Sequence, residues 1–297
     1  MNEPPELAAY TLDPAGIRRS FARAAPCYDA AAVLHAEVRN DLLSRLELTA
    51  VEPRVVLDAG AGTCHASRAL KRRYPGALVI ALDSSTAMLR RASRRQFWLR
   101  FARVCADAEN VPLPDGSVDL VLSNLMLHWC SPDGVFAEFR RILAPHGLLT
   151  FTTFGPDTLR ELRAAWAEVD GSSHVNQFID MHDLGDALVR GGFAAPVLDV
   201  ERYTLSYLDV WAIAADLKST GAHNVTHGRP RGLTGRGKFA ALQAAYEMFR
   251  QDGRLPATYE VVFGQAWVPQ APARRGRDDS AVSLEDLRRE LRSRRTP

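Results

Sequence analysis

Between Val55 and Phe154 the chain alternates short apolar runs with amphipathic stretches, and this rhythm constrains the fold more than any other feature. The apolar runs are "RVVLDAG", "ALVIALD" (77–83), a third within "FWLRFARVCAD" (97–107), "SVDLVLSN" (117–124) and "GLLTFTTF" (147–154). Between them "SRALKRRYP" has helical spacing and stops at Pro75. "SSTAMLRRASRR" opens with serines suited to an N-cap, and a further helix is expected from about 132 to 143. A strand that returns parallel to its predecessor needs a crossover, and such crossovers are right-handed. The expected fold class is therefore α/β, with a doubly wound, mostly parallel, Rossmann-like sheet.

Two more strands are expected beyond Phe154, at 193–207 and 257–269, after helices near 156–169 and 182–190. They bring the sheet to seven strands. If the last two pair as a hairpin, the helical residues between them, about 208–255, form a cap inserted at one end of the sheet. Ahead of the sheet, Phe21, Leu34, Val38, Leu42, Leu43 and Leu46 recur at helical spacing, and Pro26 divides the run. The organisation reads as an N-terminal helical segment, 1–48, a core at 49–270 carrying the cap, and a charged tail at 271–297. Within the tail, "VSLEDLRREL" suggests a short exposed helix capped by Ser283.

Composition narrows the function classes. A chain of 297 residues with 46% hydrophobic content can bury a large core. A net charge of +2 gives no general footprint for nucleic acid. No apolar run reaches the 18 or so residues a membrane helix needs, and the N-terminus lacks the order of a signal peptide. Cys27, Cys64, Cys105 and Cys130 show no paired spacing, so reduced thiols and a cytoplasmic setting are expected. His223 and His227 alone do not make a zinc site, and no metal is expected.

The glycine-rich turn after the first strand reads Asp58-Ala59-Gly60-Ala61-Gly62-Thr63-Cys64. A dinucleotide fingerprint would need its third glycine at His65, where an imidazole obstructs close strand–helix packing. Asp58 lies two residues before Gly60, and Asp83 ends the second strand, 23 residues after Gly60. Asp107 and Ala108 follow the third strand, and Asn124 ends the fourth. Ligands of such sheets sit outside the carboxyl ends of the strands, where all these residues fall. Carboxylates there suit a cationic ligand and repel a pyrophosphate. Cys64 reads as a small buried residue at the helix start; the alternative is a thiol activated by the helix N-terminus.

This set resembles the class I S-adenosylmethionine-dependent methyltransferases, whose loop is acidic-x-Gly-x-Gly-x-Gly; only Cys64 departs from it. The resemblance implies S-adenosyl-L-methionine as cofactor, its amino-acid end over Gly60 and Gly62. Asp83 would meet its ribose, and Asp107 and the Ala108 amide its adenine, with Asn124 beside it. The flanks are more specific. "IRRSFARAAPCYDAAAVLHAEV" precedes the core, and "TFGPDTLRELRAAW", "HVNQFIDMHDLGDALVRGGF", "DLKSTGAHNVTHGR", "GLTGR" and "GRLPATYEVVFGQAW" follow the fifth strand. From about Ile17 to Trp267 they resemble the malonyl-acyl-carrier-protein O-methyltransferases of biotin synthesis. A related group, the methyltransferase-like assembly proteins of respiratory complex I, shares the start and the "PATY" ending. "DLKSTGAHNV" with "RGLTGR" favours the biotin enzymes. A non-catalytic relative that has lost the cofactor is the third alternative.

The resemblance implies methyl transfer to the free carboxylate of a malonyl thioester, the step that starts pimeloyl assembly, with an acyl carrier protein as partner. A carboxyl group of pKa roughly 4 is already ionised at neutral pH, so no general base is required. The task is to desolvate and orient a weak nucleophile, and an arginine fork is the obvious tool. Arg160, Arg231 and Arg236 are the candidates. Arg229, Arg231, Arg236 and Lys238 also form a basic cap-loop cluster that could steer an acidic carrier, and the sequence does not divide these arginines between the two tasks. Phe21, expected to bind the cofactor, and Tyr28, a further substrate-binding candidate, are expected to close the site against water. His128, after the fourth strand, reads either as a substrate-orienting group or as a core neighbour.

Overall fold

A computed structural model describes residues 12–92, 100–222, 224 and 235–270. The strands are β1 (Val55–Ala59), β2 (Leu78–Asp83), β3 (Ala102–Cys105), β4 (Val118–Asn124), β5 (Leu143–Phe154), β6 (Ala194–Tyr207) and β7 (Leu255–Trp267). They form one sheet in the order β3-β2-β1-β4-β5-β7-β6. β1 to β5 pair in parallel, while β7 runs antiparallel to both β5 and β6. The order reverses between β1 and β4, so the loops leaving their carboxyl ends turn apart and open a crevice.

The central strands are apolar on both faces because helices cover both: Val56 and Leu57, successive in β1, are each fully buried on opposite sides. β6 lies at the sheet edge and alternates between more exposed and less exposed positions along its length. β5 begins four residues earlier than the apolar run suggested. Leu143 leaves the preceding helix in extended geometry and pairs with Val118, and the register shifts before Leu120 meets Leu148.

The N-terminal helices are α1 (Pro14–Ala24), α2 (Tyr28–Ala31) and α3 (Val33–Leu46). Proline favours the first turn of α1, and Pro26 falls in the break before α2. Leu34, Val38, Leu42 and Leu46 recur every fourth residue on the buried face of α3, which packs on β4 and β5. Within the sheet region come α4 (His65–Arg73), α5 (Thr86–Ala92) and α6 (Pro132–Ile142). The expected serine cap is present: Met88 N–H donates to Ser85 Oγ at 3.4 Å. After β5 come α7 (Arg160–Ala167) and α8 (Met181–Arg190), then, between β6 and β7, α9 (Val210–Ser219) and α10 (Arg236–Tyr246). Arg229, Arg231, His223, His227 and Ser283 lie outside the described residues.

Candidate active site

At the β1–α4 turn the backbone leaves its ordinary range. Gly60 and Gly62 have φ of 75° and 53°. A Cβ on Gly60 would lie 2.4 Å from Met126 Cγ, so glycine is required there by contact as well as by conformation. A Cβ on Gly62 would meet nothing within 4 Å. The Gly60 and Ala61 amides both donate to the Leu82 carbonyl at 2.9 Å, and the Gly62 amide donates to Asp83 Oδ2 at 2.8 Å. The turn is thus tied to the end of β2. Cys64 has φ 62° and is fully buried. The third loop position does take the left-handed form that favours glycine, and Cys64 holds it against strain. Burial pushes the Cys64 thiol up to about 12, so it stays protonated and the activated-thiol alternative falls.

The crevice holds two adjoining cavities. One, of about 820 Å³ with its mouth, is lined by Gly60, Asp83, Asp107, Ala108 and Asn124, with Phe21 and Ile17 from α1. The other, of about 610 Å³, is lined by Asp29, Arg39, Asp58 and His65. Tyr28, His35, Gly60, Gly62 and Asn124 face both. The structure therefore brings together eight residues that the loop pattern and the resemblance singled out as cofactor-binding: Phe21, Asp58, Gly60, Gly62, Asp83, Asp107, Ala108 and Asn124. It adds Tyr28.

Most polar groups there are held, and His35 Nδ1 is buried without a hydrogen-bond partner. Asp83 also accepts from the Ser85 amide at 2.7 Å, and burial raises its pKa. A carboxylate offers about four acceptor sites, so bonds to two amides leave others open. Asp107 accepts from the Glu109 amide at 3.0 Å. Asn124 Nδ2 donates to the His35 carbonyl at 3.1 Å, while its Oδ1 accepts from Thr152 Oγ1 at 3.0 Å. Asp58 is almost fully buried and accepts from Ser67 Oγ, yet burial still pushes its pKa up to about 6. Burial, with Asp83 and Asp29 nearby, raises the Tyr28 phenol and keeps it protonated. α1 closes the larger cavity. Phe21 meets Trp129 edge-on, 5.4 Å between centroids, and Ser20 Oγ donates to the Gly221 carbonyl at 3.0 Å, joining α1 to the end of α9.

A third cavity, of about 460 Å³, lies against the first and shares Trp129 with it. His128 lines this one, on a 3₁₀ turn at Leu127–Trp129. Two of the expected arginines are elsewhere. Arg160 is 57% exposed and pairs with Glu161 at 3.3 Å, because its position on α7 faces away from the crevice. Arg236 starts α10 and edges a separate apolar groove against Trp211 and Phe239. Neither lines the three cavities. Lys238 pairs with Asp170 at 2.7 Å. The sequence reading overlooked His35 and Arg39. They stand one helical turn apart on α3, beside its apolar stripe, and that spacing was the available signal.

Residues 57–151 match the "Methyltransferase domain" family. The malonyl-[acyl-carrier protein] O-methyltransferase of Laribacter hongkongensis is 53% identical over 93% of this chain and 97% of its own length. That of a Methylovorus species is 54% identical over 89% and 92%. The chain belongs to the malonyl-[acyl-carrier protein] O-methyltransferase family. Among solved structures, the YcgJ protein of Bacillus subtilis superposes with a TM-score of 0.56 at 16% identity, over 78% of this chain and 99% of that one, which speaks for the fold alone.

The cavity residues fit the cofactor of a class I methyltransferase. Gly60 and Gly62 leave a side-chain-free cradle, the buried Asp58 suits an ammonium group, and Asp83 and Asp107 suit hydroxyl and amine donors. Three carboxylates lining the two adjoining cavities disfavour a pyrophosphate. Among the described residues no group of histidines, cysteines and carboxylates is placed to hold a metal.

Proposed function

We propose that this protein transfers a methyl group from S-adenosyl-L-methionine to the free carboxylate of malonyl-acyl carrier protein. The carrying observation is near-full-length identity of about half to relatives bearing that name, on a fold whose crevice suits the cofactor. The resemblance assigns the product ester to biotin synthesis. These relatives disfavour both the complex I assembly reading and a non-catalytic one.

Bound S-adenosylmethionine would supply a methyl group on a positively charged sulfur, for transfer to a carboxylate oxygen with the electron pair of the broken bond left on sulfur and no proton to be moved. Asp58, Gly60, Gly62, Asp83, Asp107, Ala108 and Asn124 hold the cofactor, and Phe21 and Tyr28 exclude water. The N-terminal segment, 1–48, acts as the cover over the core at 49–270, and the cap at about 208–255 receives the carrier. Arg229, Arg231, Arg236 and Lys238 are its basic docking cluster, supported by the exposure of Arg236 beside an apolar groove. No described helix is long and apolar enough to cross a membrane, and four cysteines without a disulfide support a cytoplasmic setting.

Incubation with methyl-labelled cofactor and malonyl-acyl carrier protein tests the reaction. A base-labile methyl ester is expected; its absence while cofactor still binds refutes the reading. If Arg231→Ala and Arg236→Ala change neither activity nor carrier affinity, the docking assignment fails.

A further inference from the structure

The third cavity has a composition unlike the crevice it adjoins. Its walls are aromatic and aliphatic, from Trp129, Phe154, Phe178, Tyr259 and Leu162, and no described residue lining it is Arg, Lys, Asp or Glu. Its polar side chains are mostly committed. Thr158 Oγ1 donates to the Glu260 carbonyl at 3.0 Å, Asn224 Nδ2 to the Ser173 carbonyl at 2.7 Å, and His174 bonds Asp170 at 2.8 Å while stacking on Trp166. His128 differs. It sits among Phe154, Trp129 and Phe178, at centroid distances of 4.6, 5.0 and 5.8 Å, and its Nδ1 is buried with no hydrogen-bond partner. A buried polar atom without a partner is uncommon, and a ligand that supplies one is favoured.

We propose that this cavity receives the acceptor's carboxylate and holds it through the neutral imidazole of His128, with none of the described arginines lining it. The proposal rests on the carboxylate O-methylation argued above and assigns the place and manner of acceptor binding. Burial, with His35 nearby, lowers His128 to about 3, so the ring is uncharged at neutral pH and can present an N–H donor. An anion entering apolar surroundings needs a compensating charge. A cofactor held in the adjoining cavity would bring that charge on its sulfonium. An arginine would compete for the same oxygens and blunt a weak nucleophile. Transfer removes both charges together, so neither product keeps an ionic hold in an uncharged pocket.

Two measurements test this. Malonyl-acyl carrier protein is titrated against the protein saturated with sinefungin, whose amine is positive and carries no transferable methyl, or with the neutral S-adenosylhomocysteine. Affinity is expected to be about tenfold tighter with sinefungin; equal affinities overturn the counter-charge argument. Second, His128→Phe keeps the ring volume and loses the donor, while His128→Gln keeps a neutral donor. His128→Phe should raise KM for the malonyl carrier about tenfold and His128→Gln far less, with calorimetric cofactor affinity unchanged in both as the measure of folding. An unaltered KM in His128→Phe, or equal losses in both variants, overturns the role of His128. If the wild-type protein makes no malonyl ester at all, the function reading fails first and this inference with it. If it makes the ester and His128→Phe is silent, this inference alone fails.

Discussion

Replacing Asp58 by asparagine should strengthen the fold and weaken the site. The carboxyl is 1% exposed, and burial raises its pKa from the usual value near 4 to about 6, even with Ser67 donating to it. Two units correspond to about 3 kcal/mol of unfavourable ionisation at neutral pH. A carboxyl whose folded pKa exceeds its unfolded one binds its proton more firmly in the native state. The stability from this group is therefore fully present below about pH 4 and is lost as pH rises through about 6. Asparagine has the same shape and cannot ionise. Asp58→Asn should exceed the wild type by about 3 kcal/mol at pH 7.5 and by only about half that at pH 5. Urea unfolding at both pH values reads the difference, in which the other titrating groups cancel. Cofactor affinity, by calorimetry, should fall at least about tenfold, because a charge-assisted contact to the ammonium is lost. A variant less stable than wild type at pH 7.5, with an unchanged pH dependence, refutes the account of Asp58 as a desolvated carboxylate held for a cation. Undiminished cofactor binding refutes its role.

Other substitutions separate the reasons for each loop residue. Gly60→Ala meets both Met126 and a positive φ, and should lose about 3 kcal/mol of stability along with cofactor binding. Gly62→Ala meets only the positive φ and should lose about 1 kcal/mol in the same urea assay. At Cys64, relief of the left-handed strain offsets the flexibility glycine adds, so Cys64→Gly should be at least as stable as Cys64→Ala; in right-handed helical backbone alanine would lead by about 1 kcal/mol. Phe21→Ala removes the ring packed on Trp129 and should raise cofactor KM severalfold while thermal stability shifts only modestly. Arg160→Ala should leave kcat/KM within about twofold, as an exposed ion pair contributes little.

How far the sequence could be read follows from how local each feature is. β1, β2 and β4 were legible because each is a short run buried mostly on both faces and bounded by its own turn or cap, whereas β3, exposed at the sheet edge, follows only from the alternation. The meeting of the expected cofactor residues in one crevice was legible for a related reason. Asp58, Asp83, Asp107 and Asn124 each stand at or just past a strand end, and a parallel sheet aligns those ends once the topology is known. The left-handed backbone at Cys64 was hidden, because a cysteine carries no mark of positive φ where a glycine would. The cavity proposed for the acceptor depends on no single stretch. His128 follows β4, Phe154 ends β5, Phe178 precedes α8, Tyr259 lies in β7, and Leu217 belongs to α9. Their meeting is set by the return of β7 beside β5 and by the docking of α9 against α1 through Ser20 and Gly221. Arg160 and Arg236 lie away from the cavity beside the crevice, whose described walls are largely aromatic, and Arg231 lies outside the described residues. On the proposal above, an anion that reacts with a cation has its counter-charge in the other reactant, so carboxylates can line the cofactor cavity while the described walls of the acceptor cavity carry none.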